Sequence, residues 1–404
     1  MPVSSIHNIS YYLYGNPDGE PALFLHGGPG AGCFPNHARF FDPSQYRIVL
    51  VDQRGCGNSV PRGEVQENTL SHLIQDCESL RKHLDIEKWK VVLGGSWGTT
   101  LALAYAQEYP FNVGALVLRG VCLFRTKEID WLFGDSGGAS KLNPDGWKIF
   151  ADYALQNRQN VSSPTDAGGR KILYSYYDLL LSQDPKIRLN AAKYWSSWEM
   201  SMSRLQLETP YNESKVHDSP NMLAWEGSTW AYKNETDHIF EENLDYPNPV
   251  EVVKQLRKFA TNHGSSCVIE DDNLAPARTI YGQGEKQQKT FQYPMHLRNE
   301  KKLPIPVQNI LTCFYSVNNA RSNEVFGVNL LSKERMSRIQ SIPIIAIQGG
   351  QDKICPPDSA LDLLENHISP ENVKVRIPLN AGHSMYNPQI AKEIIKATDF
   401  FISK

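Results

Sequence analysis

Short apolar runs, each closing on a glycine-rich turn, alternate with stretches of helical spacing through the first part of the chain. Pro21–Leu25 ends in His26-Gly-Gly-Pro-Gly30, Tyr46–Val51 in Asp52-Gln-Arg-Gly-Cys-Gly57, and Val91–Leu93 in Gly94-Gly-Ser-Trp-Gly98. Such brief, unalternating runs predict strands buried on both faces. Between them, Leu70, Leu73, Leu80 and Leu84 recur at helical spacing and predict a helix over Thr69–Leu84. After Ser96, the small residues Ala102, Ala104 and Ala106 predict a helix lying close against a sheet, and Leu116–Leu118 reads as the next strand. Strands alternating with helices imply a mainly parallel sheet covered on both faces. In such sheets chemistry lies beyond the carboxyl ends of the strands, which is where all three glycine-rich turns fall.

The pattern changes near Phe124. Trp131, Trp147, Tyr153, Tyr174, Tyr176, Tyr177, Trp195 and Trp198 lie among helical stretches, of which Asp184–Met200 is the clearest. From Glu208 to about Leu303 the chain is polar and turn-rich, with Tyr246-Pro-Asn-Pro249 and Gly282-Gln-Gly284. The α/β pattern resumes with a strand at Ile342–Ile347, a helix at Ser359–Asn366, a last strand at Val373–Ile377 and a helix at Pro388–Ile402. The expected organisation is therefore a core over residues 1–124 and 332–404, interrupted by a mostly helical cap over 125–331. That cap carries an extra insertion at about 208–310, loosely structured in places.

Composition narrows the class. A chain of 404 residues exceeds what one compact core usually holds, so one large domain plus an added one fits. A net charge of −3 gives no electrostatic reason to expect nucleic acid or an anionic membrane as partner. No apolar run approaches the roughly 20 residues needed to cross a bilayer, and the opening stretch lacks the basic and apolar regions of a signal peptide. Seven scattered cysteines without a C-x-x-C pair argue for reduced thiols in the cytoplasm, against a disulfide framework or a zinc site.

Gly94-Gly-Ser96-Trp-Gly98 fits G-x-S-x-G in the strand–turn–helix setting that a nucleophile elbow requires. Acyl transfer by a serine needs a base, an acid to orient that base and donors for the oxyanion. Asp352 follows the Ile342–Ile347 strand and His383 follows the last strand, so the order Ser96…Asp352…His383 is the one an α/β-hydrolase uses. The N–H groups of Gly28 and Trp97 are the oxyanion-hole candidates. Asp52 and Arg54 are expected to pair with each other and brace nearby loops.

HGGPGAG, DQRGCGNS, GGSWGTTLALAYAQEYP, LRG at 118–120, AAKYWSSWE at 191–199, GGQDKICPP and NAGHS resemble the proline iminopeptidase (prolyl aminopeptidase) family of α/β-hydrolases. The resemblance covers most of residues 11–200 and 342–404. It implies an eight-stranded, mainly parallel sheet with a helical cap and release of an N-terminal residue, preferentially proline, from peptides. It implies no metal or organic cofactor. The implied triad is Ser96, Asp352 and His383, with Gly28 and Trp97 at the oxyanion hole and Glu199 holding the substrate's α-ammonium. Independently, a carboxylate in an aromatic-rich cap suits an N-terminal amine, a charge that an internal peptide bond does not offer. The segment matching the family's second amine-binding glutamate is Ala320–Asn329, which puts Asn323 in register and Glu324 one place later. The family's ring-pocket aromatic positions fall at Cys122 and Leu132 in this sequence, with Phe124 and Phe133 nearby. The expected partner is a peptide or small molecule with a free N-terminus; the sequence leaves oligomeric state open. A carboxylester or lactone hydrolase on the same scaffold, and a non-catalytic ligand-binding relative, are the alternatives.

Overall fold

The computed structural model describes residues 1–158, 169–204, 223–226, 229–232, 305–319 and 326–404. In chain order the strands are β1 (Ser10–Gly15), β2 (Glu20–Leu25), β3 (Tyr46–Asp52), β4 (Val91–Gly95), β5 (Leu116–Arg119), β6 (Leu223–Glu226), β7 (Thr229–Tyr232), β8 (Ile344–Ile347) and β9 (Val373–Arg376). Seven of them form one sheet in the order β1-β3-β2-β4-β5-β8-β9, while β6 and β7 make a separate antiparallel ribbon. Within the large sheet only β1 runs antiparallel to its neighbour, β3. Eight strands are expected from the resemblance; seven pair here among the described residues.

The apolar runs do what their lack of alternation requires: successive side chains enter different cores. Ala22 and Phe24 of β2, Ile48 and Leu50 of β3, and Val91 and Leu93 of β4 pack on one face. Leu23, Leu25, Val49, Val51 and Val92 pack on the other. The first face is covered by the Pro388–Ile402 helix through Ile390, Ala391, Ile394, Ala397 and Phe401. Asn387 starts that helix by accepting the Gln389 N–H at 3.0 Å, with Pro388 pre-set at its first position. The second face is covered by α1 (Leu70–His83) and α2 (Trp97–Glu108). In α1 the predicted leucines at 70, 73 and 80 are buried, and Arg81, Lys82 and His83 fill the last turn, where positive charge suits the helix dipole.

Between β5 and β8 the regular structure among the described residues is helical apart from the β6–β7 ribbon. The helices are α3 (Thr126–Phe133), α4 (Gly138–Leu142), α5 (Pro144–Gln156), α6 (Lys171–Leu180), α7 (Pro185–Arg204), one at Val307–Asn319 and a short one at Lys333–Arg338. Aromatic rings supply their packing: Phe150 stacks on Tyr176 at 4.2 Å and Trp147 meets Trp198 edge-on at 5.2 Å. Most of the insertion expected at about 208–310 lies outside the described residues.

One expected pairing is corrected. Arg54 does not meet Asp52 but grips Asp76 of α1 in a buried two-point ion pair, at 2.6 and 2.7 Å. Asp52 instead accepts the N–H groups of Cys33 (2.7 Å) and Asn58 (2.8 Å) and the Tyr12 hydroxyl (2.8 Å). The reason is topological. Asp52 ends β3 and turns its carboxylate into the loops, while Arg54 reaches across to α1.

Candidate active site

Ser96 occupies the single residue between β4 and α2 and has φ +55° and ψ −122°, a conformation that costs an ordinary side chain on the order of 1–3 kcal/mol. The turn is tight enough that a Cβ on Gly94 would lie 2.3 Å from the Gly98 carbonyl oxygen. Bulk at the flanking positions would therefore open it. The elbow is tied down by the Ser96 N–H, which donates to the Arg119 carbonyl at 2.8 Å, and by Thr99 Oγ1, which donates to the Ser96 carbonyl at 2.7 Å.

Asp352 and His383 come together beyond the ends of β8 and β9, with Asp352 Oδ2 2.7 Å from His383 Nδ1. The carboxylate is fully buried and saturated with donors. Oδ1 accepts the N–H groups of Ile354 (2.9 Å) and Cys355 (2.8 Å), and Oδ2 also accepts from the Gln348 amide at 3.2 Å. Gly120 packs against the imidazole, at φ +60°, where a Cβ would come within 3.2 Å of His383 Cε1 and 3.3 Å of Nδ1. Both the left-handed backbone and the missing side chain are needed there.

The third contact of such a relay is open. The only hydrogen-bond contact of the Ser96 side-chain hydroxyl among the described residues is Cys355 Sγ, at 4.0 Å. His383 Nε2 faces Arg119 Nη1 at 3.4 Å, and that same Nη1 donates to the His383 carbonyl at 2.8 Å. Hydrogen bonds of this kind are often long without substrate and tighten around it. Arg119 is buried at the end of β5; burial draws its guanidinium below the ordinary value, and the charge of Asp352 opposes that.

The His26–Gly30 loop follows β2 and lies against the elbow. The Gly28 N–H has no acceptor among the described residues. Trp97 is the first residue of α2, so its N–H lacks an intrahelical partner. Its indole donates to Gln53 Oε1 at 2.9 Å and its ring meets Phe124 at 4.9 Å and Tyr315 at 4.6 Å.

Comparison with known proteins agrees with this architecture. A family model described as alpha/beta hydrolase fold matches residues 21–387. A probable proline iminopeptidase from Leptolyngbya boryana is 33% identical over 405 residues, covering 100% of this chain and 94% of that protein. The chain belongs to the proline iminopeptidase family of α/β-hydrolases. It is a serine hydrolase resembling the prolyl aminopeptidases. A proline iminopeptidase from Arabidopsis thaliana is 44% identical over 225 residues, 56% of each chain. One from Neisseria gonorrhoeae is 45% identical over 208 residues, 52% of this chain and 63% of that one.

The remaining candidates lie between β5 and β8, on helices or in the loop that precedes α3. Glu199 is partly buried on α7, one turn after Trp195, on the same helix face. Burial pushes its carboxyl up to about 7, against the downward pull of the Trp195 indole N–H. Phe124 is buried against Trp97, beside the elbow. Phe133 packs at 4.5 Å on Trp195. Cys122 and Leu132 contribute carbonyls: Thr99 and Thr100 donate to the first, and the Trp198 indole to the second. Asn323 and Glu324 lie outside the described residues.

Sequence reasoning passed over the buried polar residues that knit these parts together. Gln348 donates to Asp352 and to the Cys355 carbonyl and accepts the Val121 N–H. From the Val307–Asn319 helix, Thr312 donates to the Pro29 carbonyl at 3.0 Å and Tyr315 places its ring on Trp97. The available signal for Gln348 was a polar residue ending an apolar strand; for Thr312 and Tyr315 there was none. Among the described residues no helix is long and apolar enough to cross a membrane, and no group of three His, Cys, Asp or Glu could hold a metal ion.

Proposed function

We propose that this protein is a cytoplasmic serine aminopeptidase that releases an N-terminal residue, preferentially proline, from peptides through Ser96, His383 and Asp352. The observation that carries the reading is the buried Asp352–His383 contact of 2.7 Å, beyond the same edge of the sheet as the strained Ser96 turn. Ser96 Oγ attacks the scissile carbonyl while His383 takes its proton, and the oxygen's developing charge is held by the N–H groups of Gly28 and Trp97. His383 then delivers that proton to the departing amine. Water, activated by the same imidazole, hydrolyses the acyl-enzyme. Asp352 keeps the ring proton on Nδ1 and stabilises the imidazolium.

Glu199 supplies the discrimination between a chain terminus and an internal peptide bond. A substrate ammonium restores to its carboxylate the charge partner that burial denies it, whereas a neutral acyl group leaves it unpaired. Phe124 and Phe133 supply apolar surface for the ring of an N-terminal proline, and Asn323 and Glu324 are candidates for the second contact to the amine. Residues 125–331 serve as the cap, with 208–310 as an added insertion that limits substrate length. A panel of aminoacyl arylamides and a neutral aryl acetate tests the reading. Fastest turnover on prolyl arylamide, with labelling of Ser96 by a phosphonate, is expected. Preference for the ester with no arylamide turnover refutes it in favour of an esterase.

A further inference from the structure

The loop after β2 carries a buried imidazole that the acyl-transfer scheme does not use. His26 is 1% exposed, and its ring is held on both edges. The Gln53 N–H donates to Nε2 at 3.1 Å, so the ring proton resides on Nδ1. Nδ1 lies 2.8 Å from the carbonyl oxygen of Gly27 and donates to it. The Cys56 thiol, 3.2 Å from Nε2, crowds the same unprotonated edge. The Gly32 N–H, 3.3 Å from Nδ1, is the longer contact on the protonated edge. Gln53 closes the unit, its amide donating to the His26 carbonyl at 2.9 Å and its oxygen accepting the Trp97 indole N–H at 2.9 Å.

The Gly27 carbonyl and the Gly28 N–H belong to one trans peptide plane, in which they point in opposite directions. Fixing the oxygen therefore fixes the direction of the N–H. The plane lies against the nucleophile: a Cβ on Gly27 would come within 3.1 Å of Ser96 Cβ. It is also flanked by two glycines, so nothing in its own side chains resists rotation. Only the His26 Nδ1–H and the Ala31 N–H, at 3.2 Å, hold the Gly27 oxygen among the described residues.

We propose that His26 is a positioning residue of the oxyanion hole, its Nδ1–H holding the Gly27 carbonyl so that the Gly28 N–H is presented to the acyl oxygen. The inference rests on Ser96 as nucleophile and Gly28 as oxyanion donor. Removing a direct oxyanion donor costs about 100- to 1,000-fold in kcat; loosening one costs less.

The test compares wild type, His26→Asn, His26→Gln and Ser96→Ala on prolyl arylamide. An Asn amide nitrogen falls near the place of Nδ1, whereas a Gln amide nitrogen falls near Nε2. His26→Gln is expected to lower kcat roughly 10- to 100-fold with KM nearly unchanged, while His26→Asn recovers most of that loss. Affinity for a prolyl aldehyde, which forms a tetrahedral adduct on Ser96, should fall in step with kcat/KM. Equal losses in both variants, or a loss confined to KM, overturn the proposal. Nitrogen-15 spectra of the wild-type protein decide the point even if the variants fail to fold, because a His26 ring protonated on Nε2 overturns it outright. Activity retained by Ser96→Ala removes the reading beneath the inference. An inactive Ser96→Ala beside a fully active His26→Gln overturns the inference alone.

Discussion

Glu199→Gln is the substitution that separates an aminopeptidase from another serine hydrolase on the same scaffold. It keeps the size and hydrogen-bonding capacity of the side chain and removes the charge. A charge-assisted hydrogen bond contributes about 1.5–3 kcal/mol, so kcat/KM for prolyl arylamide should fall about 10- to 150-fold. An aryl acetate should be hydrolysed as before. The ratio of wild type to variant should also depend on pH, since burial sets the carboxyl at about 7 in the empty site. Above that value the wild-type carboxylate is ready for the ammonium; one pH unit below it, ionisation costs about 1.4 kcal/mol and the ratio shrinks about tenfold. Losses common to both enzymes arise elsewhere and cancel in the ratio. Stability provides an independent arm. A carboxyl with its folded pKa raised above the ordinary 4.5 opposes folding above about pH 7. That penalty fades as pH falls towards 4.5 and is absent below it. For a partly exposed side chain it amounts to about 1–2 kcal/mol, so Glu199→Gln should melt higher than wild type at pH 8 and alike at pH 4. Equal losses on charged and neutral substrates, with no pH dependence in the ratio, would refute the assignment.

Ser96→Ala and His383→Ala should each abolish turnover to a similar floor, and the double variant should be no worse, because groups that act as one unit are not additive; a double variant far below both singles speaks against the relay. Gly120→Ala puts a Cβ 3.2 Å from His383 Cε1 at φ +60°. It should cost about 1–2 kcal/mol in urea unfolding and at least tenfold in kcat, and an unchanged kcat would show that the imidazole is not held there. Arg54→Ala leaves Asp76 buried without its ion partner, so a destabilisation of about 3–5 kcal/mol is expected; a change below 1 kcal/mol would show that water or another cation replaces it.

The core was legible because its signals are local. Each central strand is a short run buried on both faces, and each ends in a glycine-rich turn at the edge where the site forms. β1 was not foreseen, since SYYLYG is half-exposed along almost its whole length and carries no clean alternation. Proximity in sequence suggests pairing Asp52 with Arg54, yet Asp52 is held by Tyr12, Cys33 and Asn58, and Arg54 by Asp76, 22 residues away. Neighbouring charges on a strand end and its loop need not share a direction, and only the packing of α1 decides which acid Arg54 meets. The same limit applies to Arg119 and Gln348, whose roles come from being buried between strand ends brought together by β5–β8 pairing.

The Val307–Asn319 helix shows why the remainder was invisible. Thr312 bonds the Pro29 carbonyl in the His26–Gly30 loop, Tyr315 lies on Trp97 beside Ser96, and Asn309 donates to Ser196 Oγ on α7 at 2.9 Å. One rigid element thus touches the loop, the elbow and the helix that carries Glu199. In the proposed reaction this matters more than any single contact. An enzyme that removes one residue must hold an amine and a carbonyl borne by the same Cα, which bond lengths and angle place only about 2.5 Å apart. A displacement of about 1 Å between the two subsites is enough to forfeit much of the rate. The spacing cannot be set by Glu199 or Ser96 alone, because they stand on separate elements more than a hundred residues apart in sequence. It is set where those elements are clamped to a common rod. No periodicity in the sequence of that rod announces which carbonyl or ring it will meet.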